Sequence, residues 1–398
     1  MEEISFSFFD RGKDVPNHIQ AVVDQFEHER GIKVHLETIP WSMGWARMVE
    51  VALYHSGPDV SEIGNTWAGD LTRMEALRPF KKPEIESITG SEKYFESVWD
   101  SVGKTKGDPS SVYSLPWTAD ARAVFYRRDF LEKAGIDDVS AFQDTDHFEQ
   151  MLVALKARRI SIPLTLPTQR TSITTHNLAS WVWENGGSFL GPDNATITFD
   201  QPEALQGATG YFRLSHYLGE AGYFLSDYDA YELFYSGKAA VILGGYWVLN
   251  STAMTEEVHK NIGLKPLPAV PFVGGNHLVI WNHTRHELAA LKFIEYLQNE
   301  ATARLIYPQF GLPVQESTWT HPPFDTEPYQ FFLRSIQNGR GFPTGQLWGL
   351  VEKRLTDVLA DIWASVLKNP EQDHDEVIES QLKGLANRLR LTLGSSPI

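Results

Sequence analysis

Residues 4–60 read ISFSFFD RGKDVPNHIQAVVDQFEHER GIKVHLETIP WSMGWARMVEVALYHSG PDV, and the changes of period along this stretch decide the fold. Apolar residues alternate at Ile4, Phe6 and Phe8, the two-residue repeat of a strand. They then recur at Ile19, Val22, Val23 and Phe26, the three-to-four spacing of a helix that hides one face. Ile32, Val34 and Leu36 alternate again, Trp45, Met48, Val49 and Ala52 form a second helical stripe, and Pro58-Asp59-Val60 opens a third strand. A β-α-β-α-β run predicts a parallel sheet covered by helices, because parallel neighbours need a crossover between them. In such sheets ligands lie beyond the carboxyl ends of the strands, which here are loops 9–14, 40–44 and 64–69.

Working outward, a second α/β pattern follows. An apolar strand spans Ala123 to Tyr126, a helical stripe runs through Phe148, Met151, Leu152 and Leu155, and Ala239 to Leu243 reads as a buried strand closed by a turn at Gly244-Gly245. A late stripe at Val351, Leu355, Val358, Leu359, Ile362 and Val366 predicts a helix docked on this second lobe. The 398 residues exceed the roughly 250–300 at which one hydrophobic core stops growing, so two domains are expected. Proline ends regular elements, and Pro116, Pro266, Pro268 and Pro313 punctuate the expected crossings between lobes. The expected division is an N-terminal lobe of residues 1–115 plus 265–312, and a C-terminal lobe of 116–264 plus 313–398. A multi-strand hinge joins the two α/β lobes, with a ligand cleft between them.

Composition removes several function classes. A net charge of −16 argues against nucleic acid, whose backbone is gripped by clustered Lys and Arg. The pairs Arg127-Arg128 and Arg158-Arg159 read as solvated helix faces. Zero cysteines exclude disulfides, thiolate zinc sites and cysteine nucleophiles. No run approaches the ~18 apolar residues of a membrane span; Ala239 to Leu249 is short and broken by glycine. The chain opens Met1-Glu2-Glu3 and enters strand period at once, so any targeting segment is expected to be absent or already cut away. Catalytic signatures are missing: Ser236-Gly237-Lys238-Ala239 lacks the earlier glycine and the hydroxyl residue of a phosphate loop, and Gly186-Gly187-Ser188-Phe189-Leu190 is no nucleophile elbow. His286-Glu287 lacks a second histidine one turn on, and Asp373-His374-Asp375-Glu376 reads as a loop entering a helix. No cofactor, metal or catalytic residue is expected. A glycosidase or lyase remains the enzymatic alternative, since a carboxylate pair is defined by distance in space.

Several segments together resemble a known family. They are Phe26-Glu27-His28-Glu29-Arg30-Gly31-Ile32-Lys33-Val34, Ser56-Gly57-Pro58-Asp59-Val60 with Gly64-Asn65-Thr66-Trp67, and Val112-Tyr113-Ser114-Leu115-Pro116-Trp117 with the run Phe125 to Ile136. Phe234 to Val241 with Gly244-Gly245-Tyr246-Trp247, and Gly274-Gly275-Asn276-His277, complete the order. In that order they resemble the extracellular solute-binding proteins of carbohydrate ABC importers, the maltose-binding-protein-like family, from Ile4 to about Leu393. The second basic residue of Arg127-Arg128 stands where that family commonly has asparagine followed by lysine, which reads as a neutral surface change. The resemblance implies a periplasmic-binding-protein-like fold and no enzyme activity. It further implies a monomer, periplasmic or extracellular, that closes on a di- or oligosaccharide and hands it to the importer's permease subunits. A non-sugar ligand such as a polyamine, peptide or chelate is the alternative.

A saccharide ring presents C–H faces that lie on flat aromatic surfaces and a rim of hydroxyls that need donors and acceptors. The resemblance places ligand contacts at Asp10 and Arg11 after the first strand, or else these two form a capping turn before Pro16. Trp67, beside Asn65, Thr66 and Asp70, matches the family's binding loop. Trp41 follows Pro40 at another strand end. Trp247, beside Tyr246 after the double glycine, matches the second lobe's stacking aromatic, and Trp348 resembles the tryptophan at the start of the family's C-terminal helix. Trp117 reads as contact or hinge packing, and Asp120 and Arg122 as sugar contacts or an ion pair. Trp181 and Glu184, one helical step apart, could present an aromatic and an acceptor together. Gly275 and Asn276 offer close backbone approach.

Overall fold

The computed structural model describes residues 2–11, 15–88, 90, 93–102, 104–105, 108–249, 251–342 and 348–393. Its main strands are β1 (Glu2–Phe9), β2 (Ile32–Ile39), β3 (Val60–Gly64), β4 (Leu115–Ala121), β5 (Ala123–Arg127), β6 (Ile162–Thr165), β7 (Ala239–Gly244), β8 (Ile262–Pro266) and β9 (Val273–Ile280). Its helices include α1 (Val15–Arg30), α2 (Trp41–Tyr54), α3 (Thr145–Ala157), α4 (Ser172–Glu184), α5 (Pro202–Phe212), α6 (Asp227–Tyr235), α7 (Glu287–Gln298), α8 (Glu300–Phe310), α9 (Trp348–Val366) and α10 (Asp375–Leu393). The chain forms two compact units. Unit 1 is Met1–Asp120, Val273–Gln337 and Gly341–Gly349; unit 2 is Ala121–Phe272, Asn338–Arg340 and Leu350–Ile398.

Unit 1 is built on a five-stranded sheet ordered β2-β1-β3-β9-β4. β1 pairs in parallel with β2 and with β3, while β9 runs antiparallel to β3, Asn276 facing Gly64. The alternation in β1 sends Ile4, Phe6 and Phe8 to one face, where Val22, Val23 and Phe26 of α1 and Phe293 of α7 enclose them. Each fully buried Phe contributes about 1.5–3 kcal/mol, so this helix is held by its stripe more than by its own propensity. Phe9 turns to the other face and packs with Ile39, Met48, Val51 and Leu71.

Unit 2 carries a four-stranded sheet ordered β8-β5-β7-β6, in which β5 is antiparallel to both β8 and β7, and β6 is parallel to β7. The stripe of α9 is buried from Val351 to Val366, and Trp363 packs edge-on to Phe212 at 4.8 Å. Among the described residues no helix is long and apolar enough to cross a membrane.

Three expectations change. Residues 40–44 are not a loop: Pro40 takes an extended φ of −61° and ψ of 136°, and α2 starts at the next residue. Gly44 is a packing glycine there, since a Cβ would meet Phe9 Cε1 at 2.7 Å and Trp67 Cη2 at 3.0 Å. The pair Arg127-Arg128 is not a solvated face as a whole. Arg127 is 1 % exposed, donates to Asp129 and Glu257 at 2.7 Å each, and lies over Phe130, while Arg128 is exposed.

The proline-marked boundaries also shift. Residues 116–120 fall in unit 1 because β4 joins its sheet and Ala119 exchanges backbone hydrogen bonds with Leu312. Residues 265–272 fall in unit 2 because β8 pairs with β5 up to Pro266 and Phe272 O accepts from Arg122 N. Residues 313–337 stay with unit 1, held by Gln315 to Gln298 O at 3.3 Å, Ser97 to Ile336 O at 2.9 Å, and the Phe95–Trp319 contact. Proline stops an element without forcing the chain to change domain.

Candidate functional site

Parallel pairing brings the carboxyl ends of β1, β2 and β3 to one edge of unit 1, and antiparallel β9 adds Asn276 beside Gly64. Asp10, Arg11, Trp41, Asn65, Thr66 and Trp67 all follow those strand ends. Four rings form a cluster there. Trp41 lies stacked on buried Phe9 at 4.1 Å and 26°, Trp67 stands edge-on to Phe9 at 5.6 Å, and Trp45 adds a ring 5.7 Å from Trp67. Phe9 covers one face of Trp41, yet the residue is 43 % exposed, so it offers an aromatic surface to solvent. The guanidinium of Arg11 lies 5.5 Å from the Trp41 centroid and 4.9 Å from that of Phe310. What fixes it is Glu62, fully buried in β3, which accepts from Arg11 Nη1 at 3.0 Å and Nη2, and from Phe9 N at 2.8 Å. A buried carboxylate is tolerable only when paired and hydrogen-bonded, and here both conditions hold. Asp10 is exposed, and its N–H donates to Ile39 O at 3.0 Å.

Unit 2 builds a second edge. Ala123 faces Gly244, so Arg122 and the Gly245–Trp247 turn emerge together, and parallel β6 delivers residues 166–171 to the same side. Arg122, 3 % exposed, sits 4.7 Å over Trp247 and 5.6 Å over Phe272. Its Nη2 is 3.1 Å from His176 Nδ1, and His176 Nε2 is 3.3 Å from Glu352 Oε1. Arg donates only, so Nδ1 accepts and Nε2 carries the proton toward the carboxylate. The His176 ring is parallel to Phe272 at 4.4 Å and 8°. Asp227, in the first turn of α6, accepts from Thr171 Oγ1 at 2.9 Å; burial raises its pKa, against the opposing pull of Thr171, Arg122 and His176.

Several other expected contacts are buried or engaged within their own unit. Trp117 is 1 % exposed inside the core of unit 1, because β4, the edge strand of that sheet, turns it onto the face where Phe6 and Phe310 pack. Trp181 is buried against Phe148 and Tyr211 in unit 2, while Glu184 is exposed at the end of α4, so the two do not share a face. Trp348 is buried and stacked on Phe342 at 4.2 Å. Asp70 is 7 % exposed and pairs with Arg73 at 2.8 Å. Gly275 has φ of 144°, and a Cβ there would meet Thr118 O at 2.1 Å, so its close approach serves strand packing. Asn276 donates to Thr118 Oγ1 at 3.4 Å, Tyr246 is 8 % exposed, and Asp120 closes unit 1.

Sequence reasoning missed Phe9, Trp45, Glu62 and Phe310 in unit 1, and Thr171, His176, Asp227, Phe272 and Glu352 in unit 2. Glu62 alone left a signal, as a charge inside the apolar strand Val60–Gly64. The others sit in ordinary strand, helical or loop contexts and become notable only through their neighbours.

Two α/β units of this kind, each with a mixed sheet flanked by helices, make the two-lobe fold of periplasmic binding proteins. A solute-binding protein of an ABC transporter from Thermotoga lettingae, solved with bound α-D-tagatose, matches with TM-score 0.83 at 17 % identity, over 99 % of this chain and 100 % of its own. The GacH receptor of Streptomyces glaucescens, solved unliganded and with acarbose, matches with TM-score 0.82 at 19 % identity over 100 % of both chains. The family profile of the bacterial extracellular solute-binding proteins matches residues 12–304, and the chain belongs to that family. A relative, the arabinooligosaccharide-binding protein of Halalkalibacterium halodurans, is 23 % identical over 346 residues, 82 % of this chain and 75 % of its own. Family and fold are those of non-enzymatic receptors that serve ABC transporters.

Proposed function

We propose that this chain captures a neutral sugar, most simply a di- or oligosaccharide, by hinge closure and delivers it to the permease subunits of an ABC importer outside the cytoplasmic membrane. The observation that carries the reading is the pairing of aromatic surface with fixed charge in each unit. Trp41 and Trp67 sit beside Arg11–Glu62, and Trp247 lies beneath Arg122 with its His176–Glu352 support. A flat ring takes the C–H face of a pyranose, and a guanidinium already neutralised by a carboxylate can still donate to hydroxyl rims without demanding an anion. The arabinooligosaccharide, tagatose and acarbose of the similar proteins are all ligands of this chemistry.

The test is a thermal-shift screen with acarbose, maltose, D-tagatose and arabino-oligosaccharides, and with spermidine as the cationic rival. A ligand that binds only the folded state raises the melting temperature, by about 2.7 kcal/mol of stability at a hundredfold excess over Kd. We expect a shift with at least one sugar, none with spermidine, and recovery of the sugar unchanged after prolonged incubation. A shift with spermidine alone, or cleavage of the sugar, would overturn the reading.

A further inference from the structure

One carboxylate in unit 2 is only half used. Asp227 opens α6, and its Oδ2 accepts the hydroxyl proton of Thr171 at 2.9 Å. Its other oxygen, Oδ1, is buried and has no hydrogen-bond partner among the described residues. A buried acceptor without a donor costs free energy, and folded proteins rarely leave one so without a reason of function. The cap of α6 does not need this group, since the Ser226 hydroxyl already accepts from Asp229 N at 3.2 Å. Nor does the side chain drift: Thr171 is itself fixed as the cap of α4, accepting from Ile173 N at 3.2 Å, so the carboxylate is held from below. The backbone beside it is pinned as well, with Leu225 N donating to Thr168 Oγ1 at 2.9 Å.

The surroundings define what Oδ1 would accept. Arg122 and His176 both act electrostatically on Asp227, favouring its charged form, and the same Arg122 lies on the Trp247 ring. Because Arg122 already favours the charged form of Asp227, a cationic donor gains little there and meets Arg122 as a like charge. A neutral O–H is the donor that fits. It brings one proton for Oδ1 and no charge, and a polyol carries such hydroxyls beside C–H faces that suit an aromatic ring such as that of Trp247.

We propose that Asp227 is a specificity-determining residue, its Oδ1 accepting a hydroxyl of the bound sugar on the Trp247 side of unit 2. The inference rests on the sugar reading above and names the group that reads the hydroxyl. The carboxylate is built for the bound state at the expense of the free one, so removing it separates binding from stability.

The experiment compares the wild-type chain with Asp227→Asn and Asp227→Ser, using whichever of acarbose, maltose, D-tagatose and arabino-oligosaccharide binds the wild type. Calorimetry reads the affinity, and thermal unfolding without ligand reads the stability. Asn keeps an oxygen for Thr171 but turns an N–H2 donor toward the ligand's donor; Ser removes the carboxylate. We expect each variant to bind at least about tenfold more weakly, the loss carried by a hydrogen bond to a charged acceptor, and the melting temperature of Asp227→Asn without ligand to be equal to or above that of the wild type. Affinity within about twofold of wild type in both variants would overturn the inference and leave the sugar reading standing, with a bound water as the partner of Oδ1. A clear fall in the unliganded melting temperature of Asp227→Asn would assign the carboxylate a structural role instead. Failure of every sugar to bind the wild type would remove the sugar reading itself, and the assignment of Asp227 with it.

Discussion

Trp247 illustrates how one residue can be read for two roles. Its ring lies 4.7 Å beneath the Arg122 guanidinium and 6.1 Å edge-on to Tyr231, and it is only partly buried. If the ring carries a sugar face, Trp247→Ala should weaken binding by about 2 kcal/mol or more, a loss of about 30-fold. Were it packing alone, the same change would cost about 3–5 kcal/mol of stability and leave the affinity of the folded protein intact. Melting temperature and calorimetric affinity of that variant separate the two. His277 gives a residue-scale prediction of another kind. It is fully enclosed in unit 1, with Nε2 3.0 Å from Ser101 Oγ and Nδ1 2.8 Å from Ser114 Oγ, and burial pushes its pKa down to about 3. The unfolded chain takes up a proton near pH 6.5 that the folded chain refuses, so stability is complete above about 6.5 and falls as pH drops toward 3. By pH 5 the loss should be on the order of 2 kcal/mol, from about 1.5 pH units at about 1.4 kcal/mol each. Urea midpoints at pH 7 and pH 5 should therefore part more for wild type than for His277→Gln, and equal differences would assign the acid sensitivity to other groups.

At the scale of elements, periodicity was a sound guide to which segments are helices and strands, and a poor guide to where a glycine matters. β1, α1, β2, α2 and β3 all lie where their apolar periods put them, because each period reports how many faces a segment must bury. Gly207 in α5 left no such mark. There a Cβ would meet Trp181 O at 2.5 Å and Val182 Cα at 2.6 Å, both backbone atoms of α4 that cannot rotate away. Alanine would gain about 1 kcal/mol of helix propensity, yet the two helices would have to separate, so Gly207→Ala should destabilise unit 2 by a net of about 1–3 kcal/mol. Denaturant unfolding of the variant checks the sign; a more stable protein would mean that α4 and α5 shift apart freely.

For the whole molecule, closure on a ligand is the property that would turn binding into transport, since an importer can respond only to a difference between the free and bound forms. Small-angle scattering with and without a sugar that binds should give a smaller radius of gyration for the complex, and superimposable curves would count against a hinge. The family and its two-lobe architecture were legible in the order of short segments along the chain, because each records a local constraint: strand period, helix stripe, or a glycine or proline at a turn. The absence of cysteine and the charge of −16 likewise belonged to composition alone. Which tryptophans reach solvent did not. Trp41 at 43 % exposure and Trp117 at 1 % both follow a proline in an apolar context, and only the packing of Trp117 against Phe6 and Phe310 and the stacking of Trp41 at a strand end tell them apart. Domain membership of residues 313–349, the Arg11–Glu62 pair and the Arg122–His176–Glu352 chain were decided the same way, by contacts between residues far apart in the chain, such as His176 and Glu352, 176 positions apart. A local pattern states what a segment must bury; which distant segment buries it is a property of the packed tertiary structure.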